Sequence, residues 1–217
     1  MLQAGWIIRD LNDPDDRPAL RDFYDRAQDY IILETGLVPS DDTIDELFQN
    51  APPGGDPAEC IRLGLFDDQG AIQGVCEQSF EYPNPDSSYL GLLILSPDLR
   101  GSGYGPVLFE RMKNTAIEKN CSELFVAVLA PNTRGRAFWE RMGFTYELSS
   151  DPITTGVATH VRHRLRLDLS LPPPDPAAAG VTGRRGWGRR PLPDGARKIA
   201  FGFGRPGGRG SGLRARS

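Results

Sequence analysis

Two unbroken apolar runs, YLGLLIL (residues 89–95) and ELFVAVL (123–129), constrain this chain more than any other feature. Each has the length of a strand, and neither alternates polar with apolar residues. A strand of this kind is covered on both faces, so it belongs at the centre of a sheet that carries helices front and back. Between the runs lies LSPDLRGSGYGPVLFERM (95–112). It reads as a strand end, a glycine-dense turn and an amphipathic helix.

The remaining elements fit around that centre. GWIIRDL (5–11) predicts a short strand, and a helix follows over 17–34 with Leu20, Phe23, Tyr24, Ala27 and Ile31 at helical spacing. Ser40-Asp41-Asp42 opens a second helix, which Pro52-Pro53-Gly54-Gly55 ends. Strands over 60–67 and 71–82 flank Asp67-Asp68-Gln69-Gly70, a hairpin signal. After the glycine turn a helix over 104–119 carries Tyr104, Leu108, Met112 and Ala116 on one face. Another, over 133–142, ends at Gly143, and FTYELS and THVRHRLRLDLS supply a closing pair of strands. The expected fold is α/β (α+β) with a mixed sheet, not a doubly wound one.

Charge divides the chain in two. Residues 171–217 hold ten Lys/Arg, two Asp/Glu, seven prolines and eleven glycines. Removing those charges from the totals of 25 and 29 leaves 15 basic and 27 acidic groups in residues 1–170, a net of −12 against +8 for the tail. The expected organisation is one domain over 1–170 and a disordered Pro/Gly/Arg-rich tail over 171–217. Arg/Gly runs can hold phosphates of nucleic acid or anionic surfaces. The plainer reading, a solvated extension without nucleic-acid binding, is preferred here.

No apolar run approaches a membrane span, and the first residues lack the basic and apolar regions of a signal peptide. Cys60, Cys76 and Cys121 form neither a disulfide framework nor a metal-ligand pattern, so reduced, mostly buried thiols, no bound metal and a cytoplasmic location are expected.

A glycine-rich turn before a helix exposes a row of N–H groups suited to an anion, often a phosphate. Two nucleotide motifs are excluded. No Lys-Ser or Lys-Thr follows the glycines, and the spacing of Gly101, Gly103 and Gly105 is G-x-G-x-G, not G-x-G-x-x-G.

Arg100-Gly101-Ser102-Gly103-Tyr104-Gly105 resembles the R/Q-x-x-G-x-G/A signature of GCN5-related N-acetyltransferases (GNAT). Further on, Asn132 to Phe144 (NTRGRAFWERMGF) resembles that family's second block, N-x-x-A-x-x-[FL]-[YW]-x-x-x-G-F, and the likeness covers roughly residues 5–169. The resemblance implies a mixed, mostly antiparallel sheet whose fourth and fifth strands splay apart in a V. It also implies acetyl-CoA as acyl donor. Its pyrophosphate would lie on the N–H groups of Gly101, Ser102, Gly103, Tyr104 and Gly105, with the Ser102 and Tyr104 side chains pointing away. Arg100 would brace the loop or a phosphate. Backbone groups of Leu93 and Leu95 would pair with the pantetheine amides, and an amide near Leu95 would polarise the thioester carbonyl. Asn132 would bond the pantetheine or act as a plain N-cap, and Phe138 and Trp139 would pack on the cofactor or the core.

The implied reaction is direct acetyl transfer to a primary amine of a small molecule or peptide. A protonated alkylamine has a pKa of about 10.4, so a base must free its lone pair. Many relatives carry a carboxylate on strand four, where this chain offers only Tyr89 as a polar residue. Glu77 and Glu81, on one face of the neighbouring strand by the two-residue period, are the candidate bases, and a solvated edge pair is the alternative. Trp139 stands where many relatives place a proton-donating tyrosine, and an indole gives up no proton at working pH.

The acidic body favours a cationic acceptor. Tyr30, Glu34, Asp41, Asp42 and the YPNPDS loop are expected to shape its pocket, with Tyr82 and Tyr89 as further lining. His160 and His163 are expected in surface or structural roles. The family includes homodimers, which leaves that state open. Two other functions also stay open: an acyl-CoA-binding module without turnover, and an acetyltransferase tethered to nucleic acid or membrane by its tail.

Overall fold

The computed structural model describes residues 2–170, so the expectations for the tail lie outside the described residues. The chain opens with β1 (Ile7–Asp10), followed by α1 (Arg17–Arg26), α2 (Gln28–Thr35) and α3 (Asp41–Gln49). Strands β2 (Ile61–Phe66), β3 (Ile72–Phe80) and β4 (Ser87–Leu95) come next, then α4 (Tyr104–Glu118), β5 (Glu123–Leu129) and α5 (Thr133–Arg141). The chain continues through β6 (Thr145–Ser149), β7 (Ile153–Thr155), β8 (Ala158–His160) and β9 (Arg162–Asp168). Seven strands form one sheet in the order β1-β2-β3-β4-β5-β9-β6, and β7 and β8 form a separate hairpin. Every neighbour pair in the large sheet is antiparallel except β4–β5.

Both faces of the sheet are covered, as the two apolar runs require. One core joins Leu20, Phe23, Ile31 and Leu47 of α1–α3 to Phe66, Ile72, Val75 and Ile94 of the strands. The other joins Leu108, Phe109 and Met112 of α4 and Trp139 of α5 to Leu63, Leu65, Cys76, Leu90, Leu95 and Val126. Alternate residues of one strand feed opposite cores because side chains alternate across a pleated strand.

The centre of the sheet is opened by one bulge. Glu77 pairs with Leu92 and Gln78 with Leu90, which leaves Gly91 unpaired in β4. One extra residue bends a strand and switches its side-chain parity. Accordingly Leu90 packs on the α4 side and so do Leu93 and Leu95, three and five residues later. At the same place the parallel ladder stops, with Leu90 opposite Val126 its last pair. From Gly91 onward β4 and β5 diverge. This is the V-shaped splay expected of the fold.

Three expectations are corrected. The helix over 17–34 is two helices, broken at Ala27, whose φ of −109° and ψ of 28° leave the helical region. The strand expected from Thr159 onward is divided: Thr159 and His160 belong to the β7–β8 hairpin, and β9 begins at Arg162. Of the three thiols, only Cys76 is buried; Cys60 and Cys121 are half-buried, and all three are free.

Candidate functional site

The splay opens into a groove of about 630 Å³ bounded by β4, β5, the glycine turn and the start of α5. Its backbone chemistry follows from the strand pairing. The Ser96 N–H donates to the Gln73 carbonyl at 2.9 Å, so Ser96 and, by alternation, Ile94 face β3. The N–H and C=O groups of Leu93 and Leu95 therefore face the opening. The Leu95 carbonyl already accepts from Arg100 Nε at 3.1 Å.

Arg100 is held at both ends of its guanidinium. Besides Leu95 it grips Asp29 of α2 through both terminal nitrogens, one of them at 2.7 Å. That bidentate contact holds the Asp29 carboxyl below its ordinary pKa. Arg100 thus ties the turn to α2.

Within the turn the Ser102 N–H donates to the Leu99 carbonyl at 3.2 Å, while the space over Gly101 and Gly103 is open. Gly101 and Gly103 have φ of 86° and 94°, a region costly for side chains, and a Cβ on either would meet nothing within 4 Å. Gly103 is the N-cap of α4, so the first N–H groups of that helix sit at the groove wall. Gly105 serves packing: a Cβ there would come within 3.1 Å of the Phe138 ring. The side chains of Ser102 and Tyr104 turn away, Ser102 to the Leu99 carbonyl and Tyr104 onto Trp6 with ring centroids 4.9 Å apart.

Asn132 caps α5 by accepting from the Gly135 N–H at 2.9 Å, and it also lines the groove. Phe138 lines the groove as well, and Trp139 spans groove and core, with edge contacts to Phe109, Phe138 and Phe144. The structure therefore brings Leu93, Leu95, Arg100, Gly101, Gly103, Gly105, Asn132, Phe138 and Trp139 to one wall-and-floor arrangement.

A second cavity, of about 130 Å³, lies on the α1–α3 face of the sheet. It shares Tyr30, Gly91, Leu92 and Ala127 with the groove, so the two meet at the bulge. Glu77 and Tyr89 line it. Glu77 is only 6% exposed and its Oε1 has no hydrogen-bond partner. Burial pushes this carboxyl up to about 7, opposed by the Arg62 charge on the neighbouring strand. The Tyr89 hydroxyl is also buried without a partner, and burial raises its pKa.

Glu81 does not join Glu77. It lies past the end of β3, exposed, with φ of 58°, so the two-residue period stops short of it. Asp41 and Asp42 sit exposed in the first turn of α3; from that helix Thr43, Glu46 and Leu47 reach the cavity instead. The YPNPDS loop does not line it, although Tyr82 stacks edge-on against Tyr89 at 5.4 Å. Tyr30 and Glu34 do line it.

Sequence reasoning missed Tyr24, Glu46, Gly91 and Arg162 as lining residues. A glycine inside an apolar strand is a bulge signal, so Gly91 was readable. Arg162 was not: it sits in an alternating RHRLRLD run that reads as solvent-facing, yet it is 5% exposed and ion-paired to Glu34 at 3.1 Å. Both histidines are structural: His160 Nε2 lies 2.7 Å from the Leu33 carbonyl, and His163 Nδ1 lies 2.8 Å from the Ser149 hydroxyl.

A parallel pair that parts at a bulge, with a glycine turn at one end and an acid-lined cavity behind it, defines an acyltransferase-type scaffold. The chain belongs to the acetyltransferase (GNAT) family, whose model matches residues 12–144. No curated protein sequence matches it. Among solved structures it is similar to an acetyltransferase from Thermus thermophilus, at 24% identity and a TM-score of 0.59 over 77% of this chain and 100% of that one. An N-acetyltransferase from Staphylococcus aureus matches at 16% identity and 0.59, over 76% and 99% of the two chains. A chimeric spermidine N-acetyltransferase of Vibrio cholerae matches at 19% and 0.58, over 77% and 97%. At these identities the structures share the fold.

Proposed function

We propose that this acetyltransferase is acetyl-CoA-dependent and transfers acetyl directly to a primary amine of a small molecule or peptide, held in the smaller cavity. The observation that carries the reading is the meeting of the two spaces at Gly91. On one side lie the outward backbone groups of Leu93 and Leu95 and the open glycine turn; on the other lies the buried Glu77 carboxyl, whose Oε1 has no hydrogen-bond partner.

The groove fits the cosubstrate on its own geometry. The N–H groups of Gly101, Gly103, Tyr104 and Gly105 are set for a pyrophosphate at a helix start, while that of Ser102, expected to join them, is taken by the Leu99 carbonyl. Leu93 and Leu95 offer peptide groups to an amide-bearing arm, while Phe138 and Asn132 close the far wall. When bound, acetyl-CoA supplies the activated acyl thioester.

The chain's own residues prepare the acceptor. Glu77, with its carboxyl near pH 7, is matched to take a proton from a bound ammonium at neutral pH. One ammonium proton passes first to Glu77 and on to water, which frees the lone pair with which the nitrogen bonds the acyl carbon as the C–S bond breaks. The second protonates the departing sulfur. A thiol of pKa about 8.5 leaves without a dedicated acid, which suits a chain with Trp139 in place of a tyrosine. Tyr89, which lines the same cavity, orients the nitrogen through its unpartnered hydroxyl.

The test is thermal unfolding with and without acetyl-CoA, on wild type and on Gly103→Glu, followed by thiol release with an amine panel. Ligand at about 100 times its dissociation constant adds roughly 2.7 kcal/mol to stability. The expected result is a shift of several degrees in the wild type that vanishes in the variant. No shift in either protein overturns the reading; a shift without thiol release leaves a binding module.

A further inference from the structure

We propose that Gly91 and Ala127 form the aperture between the groove and the smaller cavity, and that the Ala127 methyl selects donors with a straight acyl chain over branched ones. The proposal rests on the acetyl-transfer reading above and deepens it, because it names the residue that sizes the acyl group.

The strand register carries it. The parallel ladder runs from Ser87 opposite Glu123 to Leu90 opposite Val126 and stops. The next residue on each strand is Gly91 and Ala127, so these two flank the first gap in the ladder. Both line the groove and the cavity alike. Gly91 is exposed although β4 is the middle strand of seven, and Ala127 is half-buried. Behind them the opening is sealed. Leu90 and Val126 are 1% and 4% exposed and belong to the core under α4. An acyl group that runs down the opening meets this closed end and continues through the gap, toward the α1–α3 face.

What can pass is set by side chains. Paired strands lie about 4.8 Å apart, and one residue past the last pair leaves little length in which to part. One residue there has no side chain and the other has a methyl, whereas the following positions carry Leu92 and Val128. A straight chain threads such a gap end-on. A branch at the carbon next to the carbonyl brings two groups to it at once. Beyond the gap Ile31, Leu47 and Leu129 give apolar wall. An engineered cavity of about 150 Å³ holds benzene, so about 130 Å³ holds roughly six non-hydrogen atoms, enough for the tail of a butyryl group.

The experiment is calorimetric titration of CoA, acetyl-CoA, butyryl-CoA and isobutyryl-CoA into wild type, Ala127→Gly and Ala127→Val. CoA has no acyl group, so it is expected to bind all three proteins alike. Butyryl-CoA is expected to bind wild type about tenfold tighter than isobutyryl-CoA, the effect of one misplaced methyl group in a fitted apolar space. That ratio falls toward one in Ala127→Gly through tighter binding of isobutyryl-CoA. In Ala127→Val, butyryl-CoA weakens about tenfold while CoA does not. Equal binding of the two isomers by wild type overturns the aperture and leaves the transfer reading standing. A preference that both variants keep unchanged overturns the role of Ala127. If Ala127→Val does not fold, the Ala127→Gly ratio decides by itself. Failure of wild type to bind any of the four overturns the transfer reading and the aperture with it.

Discussion

Arg62 and Glu77 stand opposite each other on β2 and β3, yet the Arg62 guanidinium is bonded to backbone carbonyls instead of to the carboxylate. Its nitrogens reach the carbonyls of Leu47, Pro57 and Asn50, the last two at 2.8 and 3.0 Å. The charge is near enough to moderate Glu77 and engaged elsewhere. The carboxyl is left buried, its Oε1 without a hydrogen-bond partner, and poised near neutrality.

Replacing Glu77 by Gln is expected to lower kcat by about 10²–10³, the usual contribution of a positioned base. It is also expected to remove an activity rise centred near pH 7 in the kcat/KM profile. Stability changes with it. The folded-state carboxyl is raised above its unfolded value, so its contribution is full below about pH 4.3 and is lost as pH climbs through 7, by about 3 kcal/mol. Denaturant midpoints of wild type and variant across that window measure the difference. An unchanged pH–rate profile in the variant would assign the base elsewhere.

Tyr89→Phe is expected to raise the stability of the free protein by about 1 kcal/mol, because it removes a buried hydroxyl that has no partner. The same change is expected to raise KM for the amine severalfold. Paired urea titrations and initial rates read both effects, and a destabilised variant with unaltered KM would contradict them.

Removing the brace with Arg100→Ala is expected to weaken acetyl-CoA binding about tenfold, while the exposed half of the contact limits the cost to the fold to about 1 kcal/mol. Asp29→Asn should reproduce most of the binding loss, since it frees the same guanidinium. Calorimetric titration of each variant decides whether the loop geometry or the arginine charge matters.

Gly156 has φ of 60°, and a Cβ there would lie 2.5 Å from the Thr35 carbonyl oxygen. Gly156→Ala is therefore expected to lift the β7–β8 hairpin from α2 at a cost of about 1–3 kcal/mol. Amide exchange at Val157, whose N–H donates to the same carbonyl at 2.8 Å, should rise in step with a loss of amine affinity.

What could be read from the chain was local. The two apolar runs announce covered strands, and the R-G-S-G-Y-G turn announces its own backbone, because pattern and glycine act over a few residues. The smaller cavity draws from α1, α2, α3, β3, β4, β5, β7 and β9, and no local pattern links Glu46 to Arg162. Ala27 breaks a helix with neither glycine nor proline, so the expected single helix over 17–34 carried no mark of its interruption. Glu81 shows the limit of periodicity: the two-residue rule holds only while the strand lasts, and β3 ends at Phe80.

The parting of β4 from β5 also places a sheet edge inside the molecule. Peptide groups at Leu93 and Leu95 lie near the middle of a seven-stranded sheet but lack a strand on one side. Edges invite backbone pairing, and natural proteins usually shield them or leave them at the rim. On the proposed reading an extended ligand would pair with those groups as a further strand, and because it would bind only the folded chain it would raise the chain's stability by mass action.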